Sequence, residues 1–330
     1  MIKAGIAGLG WWGQNLVRSV QGKSDAISFT AGAVRHPEKA AEFAGEQGLT
    51  LFDSIDSMLA DADIDAVVLA TPHSTHGEQM VTAAAAGKHI YSEKPFTMNK
   101  ADAERAIGAA NDAGVQIVVG QNRRFHPAMG ELRERVKSGA LGTVLHVEVT
   151  EGGPSAVGLK PDNWRSQRSE WPAGGMTPMG IHLIDGMIDL FGTVSSVYCQ
   201  SVHRFVEADV DDATSALLQF DNGITGYIGI VLATRPQLRF AVHGTDAIAT
   251  IRERSYNFLD IVPFEGEPEN INYGDYKMDG EALTAELEAF AGAIDGSAPY
   301  PIPHDQMIHA VAVLEAIIKS AETKSPEAVG

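Results

Sequence analysis

The chain is poor in cysteine, in basic residues and in long apolar runs, and each shortage excludes a class of protein. Cys199 is the only cysteine, so no disulfide can close within the chain and no cysteine-based zinc site can form. Lysine and arginine number 25 against 43 aspartates and glutamates, a formal charge of −18. A surface that negative repels phosphate backbones and anionic lipid heads, which argues against nucleic acid and membrane partners. A local basic pocket for a small phosphate stays compatible with it. No apolar run approaches the roughly 18 residues of a membrane span. No basic stretch with a long apolar core precedes Ile2, so the expectation is no signal peptide and a cytoplasmic protein. What is present is ordinary globular composition, 44% hydrophobic and 21% charged over 330 residues. That excludes wholesale disorder, and the length suits two domains.

Up to about Gly120, short apolar runs alternate with amphipathic ones. Strands are expected at Ile2–Ala7, Ile27–Val34, Asp65–Ala70, His89–Ser92 and Val115–Gly120. Helices are expected at Gln14–Val20, Pro37–Glu46, Thr75–Ala86 and Ala101–Ala113. Such alternation implies βαβ units with right-handed crossovers, hence a doubly wound parallel sheet. Beyond residue 121 the pattern changes. After a helix at Pro127–Lys137, period-two runs follow at Val144–Thr150, Val194–His203, Thr214–Phe220, Ile224–Val231, Leu238–His243 and Ile248–Arg252. Asp221-Asn222-Gly223 between two of them is a hairpin signal. Helices are expected at Thr177–Leu190, Glu281–Asp295 and Asp305–Ala321. The expected fold class is α/β. A Rossmann domain spans residues 1–121, and an α+β domain with an open, mostly antiparallel sheet spans 122–330. The last helix, 305–321, is a candidate to pack back on the first domain.

Gly8-Leu9-Gly10-Trp11-Trp12-Gly13 fits G-x-G-x-x-G, after a strand and opening a helix. Gly8 permits the tight turn, Gly10 lets backbone amides reach a pyrophosphate, and Gly13 lets helix pack on strand. The helix N-terminus adds N–H groups and partial positive charge for the anion. Trp11 and Trp12 either flank a cofactor or pack. The second strand ends Gly32-Ala33-Val34-Arg35-His36-Pro37. An NAD site usually places an acid there to bond the ribose hydroxyls. Val34 stands instead, followed by Arg35, which points to NADP ahead of NAD. Otherwise Arg35 stacks on adenine or is simply solvated.

Three further segments complete a pattern: Ala70–His76 with its Ala-Thr-Pro and two histidines, Glu93-Lys94-Pro95 after the fifth strand, and Gly180–Asp185 in the second domain. With the glycine turn, with Asn122-Arg123-Arg124-Phe125-His126-Pro127 and with the terminal helix, they resemble the glucose-fructose oxidoreductase / inositol dehydrogenase / rhizopine-catabolism (Gfo/Idh/MocA) family across nearly the whole chain. The resemblance implies NAD(P)-dependent oxidation or reduction of sugars, polyols or related hydroxy or keto compounds. It also implies a homodimer or homotetramer formed through the C-terminal sheet. Residue by residue, it implies that Thr71, Pro72 and His76 line the cofactor; the glycine turn, Arg35, His36 and His73 are further candidates for that contact. Glu93 would hold the nicotinamide ribose, Lys94 would sit between nicotinamide and substrate, and His182 would meet the reacting oxygen.

The residue chemistry agrees. An ammonium such as that of Lys94, at the carboxyl edge of a parallel sheet, can stabilise developing negative charge on oxygen. An imidazole in general exchanges protons near neutral pH, so His182 suits proton transfer. Asp185, three residues on, could orient it. The plainer alternatives are a solvated Lys94, a core His182 and an Asp185 that only favours a helix start. His73 and His76 lack further ligands nearby, so no metal is expected. One position departs from the family: an acid is expected four residues before His182, and Pro178 stands there. Without that acid, other groups must complete the substrate site. Candidates are Asn122, Arg123, Arg124, His126, Asn163, Trp164 and Arg168, although Asn163–Arg168 also reads as a surface loop. Two other functions remain open on the same fold. One recycles a bound cofactor within each turnover, permitting elimination, glycoside hydrolysis or epimerisation. The other is a dinucleotide-binding regulator without turnover.

Overall fold

In the computed structural model, which describes residues 1–61 and 63–330, the chain forms two compact units. Residues Met1–Asn122 and Lys277–Ile308 make the first, Arg123–Tyr276 and His309–Gly330 the second. The first crossing falls after Asn122. Residues 277–308 return to the first unit.

The first unit opens with β1 (Ile2–Ala7), α1 (Trp11–Val20), β2 (Ile27–Ala33), α2 (Pro37–Gln47), β3 (Thr50–Phe52) and α3 (Ile55–Asp61). It continues with β4 (Ala66–Leu69), α4 (His76–Ala85), β5 (His89–Ser92), α5 (Lys100–Ala113) and β6 (Ile117–Val119). Its six strands are parallel in the order β3-β2-β1-β4-β5-β6. Strands such as β4, Ala-Val-Val-Leu, are buried at every position, as a sheet covered on both faces requires. The strand order reverses between β1 and β4. In a doubly wound sheet, that reversal opens a crevice at the carboxyl ends of the strands. Ala7 is in register with Ala33 on one side and Leu69 on the other, and Leu69 with Ser92. The residues just after β1, β2, β4 and β5 therefore emerge side by side.

The second unit contains α6 (Pro127–Lys137), β7 (Val144–Gly152), α7 (Gly180–Phe191), β8 (Val194–Val202), β9 (Ala213–Phe220) and β10 (Thr225–Val231). Then come β11 (Gln237–Gly244), β12 (Ala247–Arg252), β13 (Phe258–Pro263) and β14 (Glu269–Asn272). After these, α8 (Glu281–Asp295) belongs to the first unit, and α9 (His304–Thr323) and β15 (Glu327–Ala328) end the chain. The nine-stranded sheet has the order β14-β13-β12-β11-β7-β10-β9-β8-β15. Only the β7–β10 pair is parallel. The open, mostly antiparallel sheet is as expected, and Gly223 (φ +90°) makes the β9–β10 hairpin turn. β9 alternates inward Leu218 and Phe220 with outward Leu217, which is 56% exposed. α7 lies against the inner face, where a Cβ on Gly186 would touch both Met129 of α6 and Phe240 of β11. Among the described residues no helix is long and apolar enough to cross a membrane.

Candidate functional site

The glycine turn joins β1 to α1, and its three glycines have different reasons to be there. Gly8 has φ +96°, and a Cβ on it would lie 2.4 Å from the Ala70 carbonyl oxygen. Its N–H donates to the Ala33 carbonyl at 2.9 Å. A Cβ on Gly13 would lie 1.9 Å from the Gly8 carbonyl oxygen. Both positions are therefore dictated by the protein's own backbone. A Cβ on Gly10, the N-cap of α1, would meet nothing within 4 Å, and no side chain caps the helix there. The helix N-terminus thus faces open space with its amides unclaimed by a cap, the arrangement an anion such as a pyrophosphate fits. Trp11 is 69% exposed. The Trp12 ring packs 5.6 Å from it, and its indole N–H is buried.

Val34 and Arg35 follow β2. Arg35 is exposed and forms no ion pair with any described residue, while neighbouring His36 lies 3.5 Å from Glu38. Val34 stands where an NAD site usually carries an acid, and the Arg35 beside it pairs with no carboxylate among the described residues.

Thr71 and Pro72 follow β4. The Thr71 hydroxyl donates to Gln79 at 2.6 Å, and Thr75 donates to the Pro72 carbonyl at 2.7 Å. His73, in the short turn before α4, is nearly buried, with its ring 6.1 Å from that of His76. Among the described residues no third ligand completes a metal group. His76, expected to line the cofactor, lies inside the first unit. Its ring is fully buried, with Nδ1 2.9 Å from the Pro95 carbonyl and Nε2 3.1 Å from that of Thr71. It ties the turn after β4 to the turn after β5.

Glu93 and Lys94 follow β5. Glu93 is 6% exposed, and its carboxylate accepts the Lys94 backbone N–H at 3.2 Å. Burial pushes its pKa up, opposed chiefly by the Lys94 charge. The Trp12 indole also favours the ionised form of this carboxylate. Asn122, read from the sequence as a substrate ligand, is buried, and its amide donates to the Met278 carbonyl at 2.9 Å. That bond anchors the returning segment.

In the second unit, His182 lies in the first turn of α7 and is 8% exposed. Asp185 does not stand as its orienting partner. Both Asp185 carboxylate oxygens accept from Arg124, at 2.7 and 2.8 Å, and Arg124 also pairs with Asp189 at 3.0 Å. Burial raises the Asp185 pKa, with Arg124 opposing. Arg124 and Asp185, both expected to touch substrate, instead form an interior tie between the 122–125 turn and α7. Arg123 is likewise engaged, by Glu151 at 2.6 and 2.9 Å and by the Tyr256 hydroxyl at 3.1 Å. His126 caps α6: its Nδ1 accepts from Ala128 at 3.1 Å, and its Nε2–H donates to Asn257 at 3.0 Å. Asn163 caps the short turn that carries Trp164, and Arg165 stacks on the Trp164 ring at 4.4 Å. Arg168 is exposed and reaches Asp211 at 2.9 Å. Pro178 lies two residues before α7.

Two residues near Glu93 escaped the sequence reading: Tyr91 and Glu286, whose contacts are given below. The signal for Glu286 was present. Leu283, Glu286, Leu287 and Phe290 share the buried face of α8, and an acid on an apolar stripe needs a partner.

Residues 2–121 match the model of the oxidoreductase family with an NAD-binding Rossmann fold, and residues 129–250 match the GFO/IDH/MocA C-terminal domain. Inositol 2-dehydrogenase of Rhizobium meliloti is 29% identical over 98% of both chains. The D-xylose 1-dehydrogenase (NADP(+)) 2 of Haloferax volcanii is 26% identical over 97% of this chain and 96% of its own. A solved levoglucosan dehydrogenase in complex with NADH superposes with a TM-score of 0.89 at 24% identity, covering 100% of this chain and 99% of the other. The two family models lie in the expected order and together span well over half of the sequence. The chain belongs to the Gfo/Idh/MocA family of NAD-binding oxidoreductases.

Proposed function

We propose that the protein transfers hydride between a nicotinamide dinucleotide and a CH–OH carbon of a sugar, polyol or related hydroxy or keto compound. The observation that supports this best is the row of loop residues at the strand reversal. The open turn at Gly10, the unpaired Arg35, Thr71-Pro72 and Glu93-Lys94 leave adjacent strands in register. The substrate class draws on relatives named for inositol and D-xylose. When bound, the dinucleotide supplies the hydride donor or acceptor.

The chain's own residues supply the rest. The α1 N-terminus and Gly10 hold the pyrophosphate. Arg35 favours a ribose 2′-phosphate, hence NADP over NAD. Glu93 holds the nicotinamide ribose. Lys94 stabilises negative charge as it develops on the substrate oxygen, and His182 exchanges the proton. Arg124 and Asp185 support the second unit from inside. Trp164 and Arg168 remain the candidates for contact with substrate. Self-association is assigned to the exposed face of the nine-stranded sheet, which carries Leu217 and Val262.

The test is a screen of sugars, polyols and sugar acids with both dinucleotides, read at the nicotinamide absorbance. A net change in reduced cofactor with one substrate supports the proposal. Product formed with no net change would instead establish internal recycling.

A further inference from the structure

Behind the end of β5, within the first unit, a chain of polar groups runs from Glu93 through Tyr91 to Glu286. Glu286, on the inner face of α8, is 0% exposed. The Tyr91 hydroxyl lies 2.8 Å from Glu286 Oε2 and 3.4 Å from Glu93 Oε1. The Gln121 backbone N–H donates to Glu286 Oε1. The Tyr300 hydroxyl, which donates to the Val119 carbonyl at 2.9 Å, stands 3.4 Å from that same oxygen. Gly120 closes the site from the strand side, where a Cβ would fall 2.4 Å from the Tyr91 hydroxyl.

The hydrogens in this chain can be counted. Two buried carboxyl groups flank one phenol, and a phenol has one hydrogen to give. With both acids ionised, one buried oxygen would face the phenol oxygen without a hydrogen between them, a costly arrangement. A proton on Glu286 Oε2 resolves it: Glu286 donates to the Tyr91 oxygen, and Tyr91 donates to Glu93. The charges assign the proton the same way. Glu93 has the Lys94 ammonium and the Trp12 indole beside it. The groups that act most strongly on Glu286 are Glu93 and Tyr91 from the β5 side, the Gln121 amide after β6 and Tyr300 after α8. None is a cation, and burial raises its pKa well above the usual carboxylate range.

We propose that Glu286 is a positioning residue for Glu93: it donates a hydrogen bond to the Tyr91 oxygen, which turns the Tyr91 O–H onto Glu93 and fixes that carboxylate as a single, oriented anion. The consequence for binding rests on the reading of Glu93 as the group that holds the nicotinamide ribose. A glutamine at 286 can imitate the neutral acid, its amide N–H replacing the acid O–H toward Tyr91. An alanine cannot.

The test titrates the full-length protein with NADPH and NADH by nicotinamide fluorescence, alongside circular dichroism and infrared difference spectra. Glu286→Gln is expected to bind like the parent protein. Tyr91→Phe and Glu286→Ala should each weaken binding about tenfold while retaining the fold, the size of one lost hydrogen bond to a charged group. The infrared spectrum of the parent should contain a buried protonated-carboxyl band that is absent from Glu286→Gln. If that band is missing from the parent, the proposal is overturned; if Tyr91→Phe binds normally while Glu93→Gln does not, it is overturned and the role of Glu93 stands. If Glu93→Gln itself binds normally, the ribose reading fails, and the infrared band alone decides whether Glu286 carries the proton.

Discussion

Gly13 sits so close to Gly8 that a Cβ on the first would come within 1.9 Å of the carbonyl oxygen of the second. This contact makes the turn a closed backbone unit before any ligand arrives. Gly13→Ala should therefore lower Tm, by several degrees for a loss of about 1–3 kcal/mol. Gly10→Ala meets no atom of the protein and should leave Tm of the cofactor-free protein nearly unchanged, yet weaken dinucleotide binding about tenfold or more. Thermal melts with and without NADPH separate the two effects. Equal losses of Tm in both variants would remove the distinction between a structural and a ligand-facing glycine.

Arg35 is the second test of the turn. It is exposed, unpaired among the described residues and preceded by Val34 rather than an acid. Arg35→Ala should weaken NADP(H) by about tenfold or more, the scale of a lost charged hydrogen bond, and NAD(H) much less. Titration of both cofactors against both proteins measures the difference. A loss shared equally by both would end the argument for a 2′-phosphate contact.

What the sequence made legible depended on distance along the chain. The glycine turn, the hairpin at Asp221–Gly223 and the strand alternation are local patterns, and the structure repeats them. β3 and α3 are three and seven residues long, too short for a period to show. The partnership of Arg124 with Asp185 spans 61 residues, and that of Tyr91 with Glu286 spans 195. Neither separation leaves a local trace. Asp185 looked like a partner for His182 because helix spacing is visible in one dimension, whereas the guanidinium that holds it is not. For the same reason, arginines 123 and 124 read as available cations when each already has a buried acid.

Lys94 carries the proposed chemistry, so its removal should affect turnover more than binding. Lys94→Ala should lower kcat by about a hundredfold or more, with NADPH affinity changed only modestly. Turnover close to that of the parent would refute the role. A large loss of cofactor affinity with kcat preserved would move Lys94 from the reacting oxygen to the ribose, beside Glu93.

The Arg124–Asp185 pair predicts an asymmetry. Asp185→Ala removes the carboxylate that takes two hydrogen bonds from the buried Arg124 guanidinium and should destabilise the protein by about 3–5 kcal/mol, as expected when one partner of a buried pair is removed. Converting both residues to apolar groups of similar size should be milder than either single change. Denaturant unfolding of the two single variants and the double variant gives the coupling directly. Additive losses would show that the pair does not act as a unit.

His126 contributes to the pH dependence of stability. Burial lowers its pKa below the ordinary 6.5, with the Asn257 bond opposing. The native state therefore keeps the ring neutral, with Nδ1 free to accept the Ala128 N–H. As pH falls through about 6.5, the unfolded chain takes up a proton that the folded chain refuses. The stability supplied by neutral His126 is present above that pH and is lost progressively below it, until the native ring also protonates. His126→Asn keeps an acceptor at the cap of α6 but cannot titrate in this range. Its Tm should fall less steeply than that of the parent between pH 7 and about 5. Parallel curves would mean that the ring is already charged in the native protein, and that some other acceptor serves the Ala128 amide.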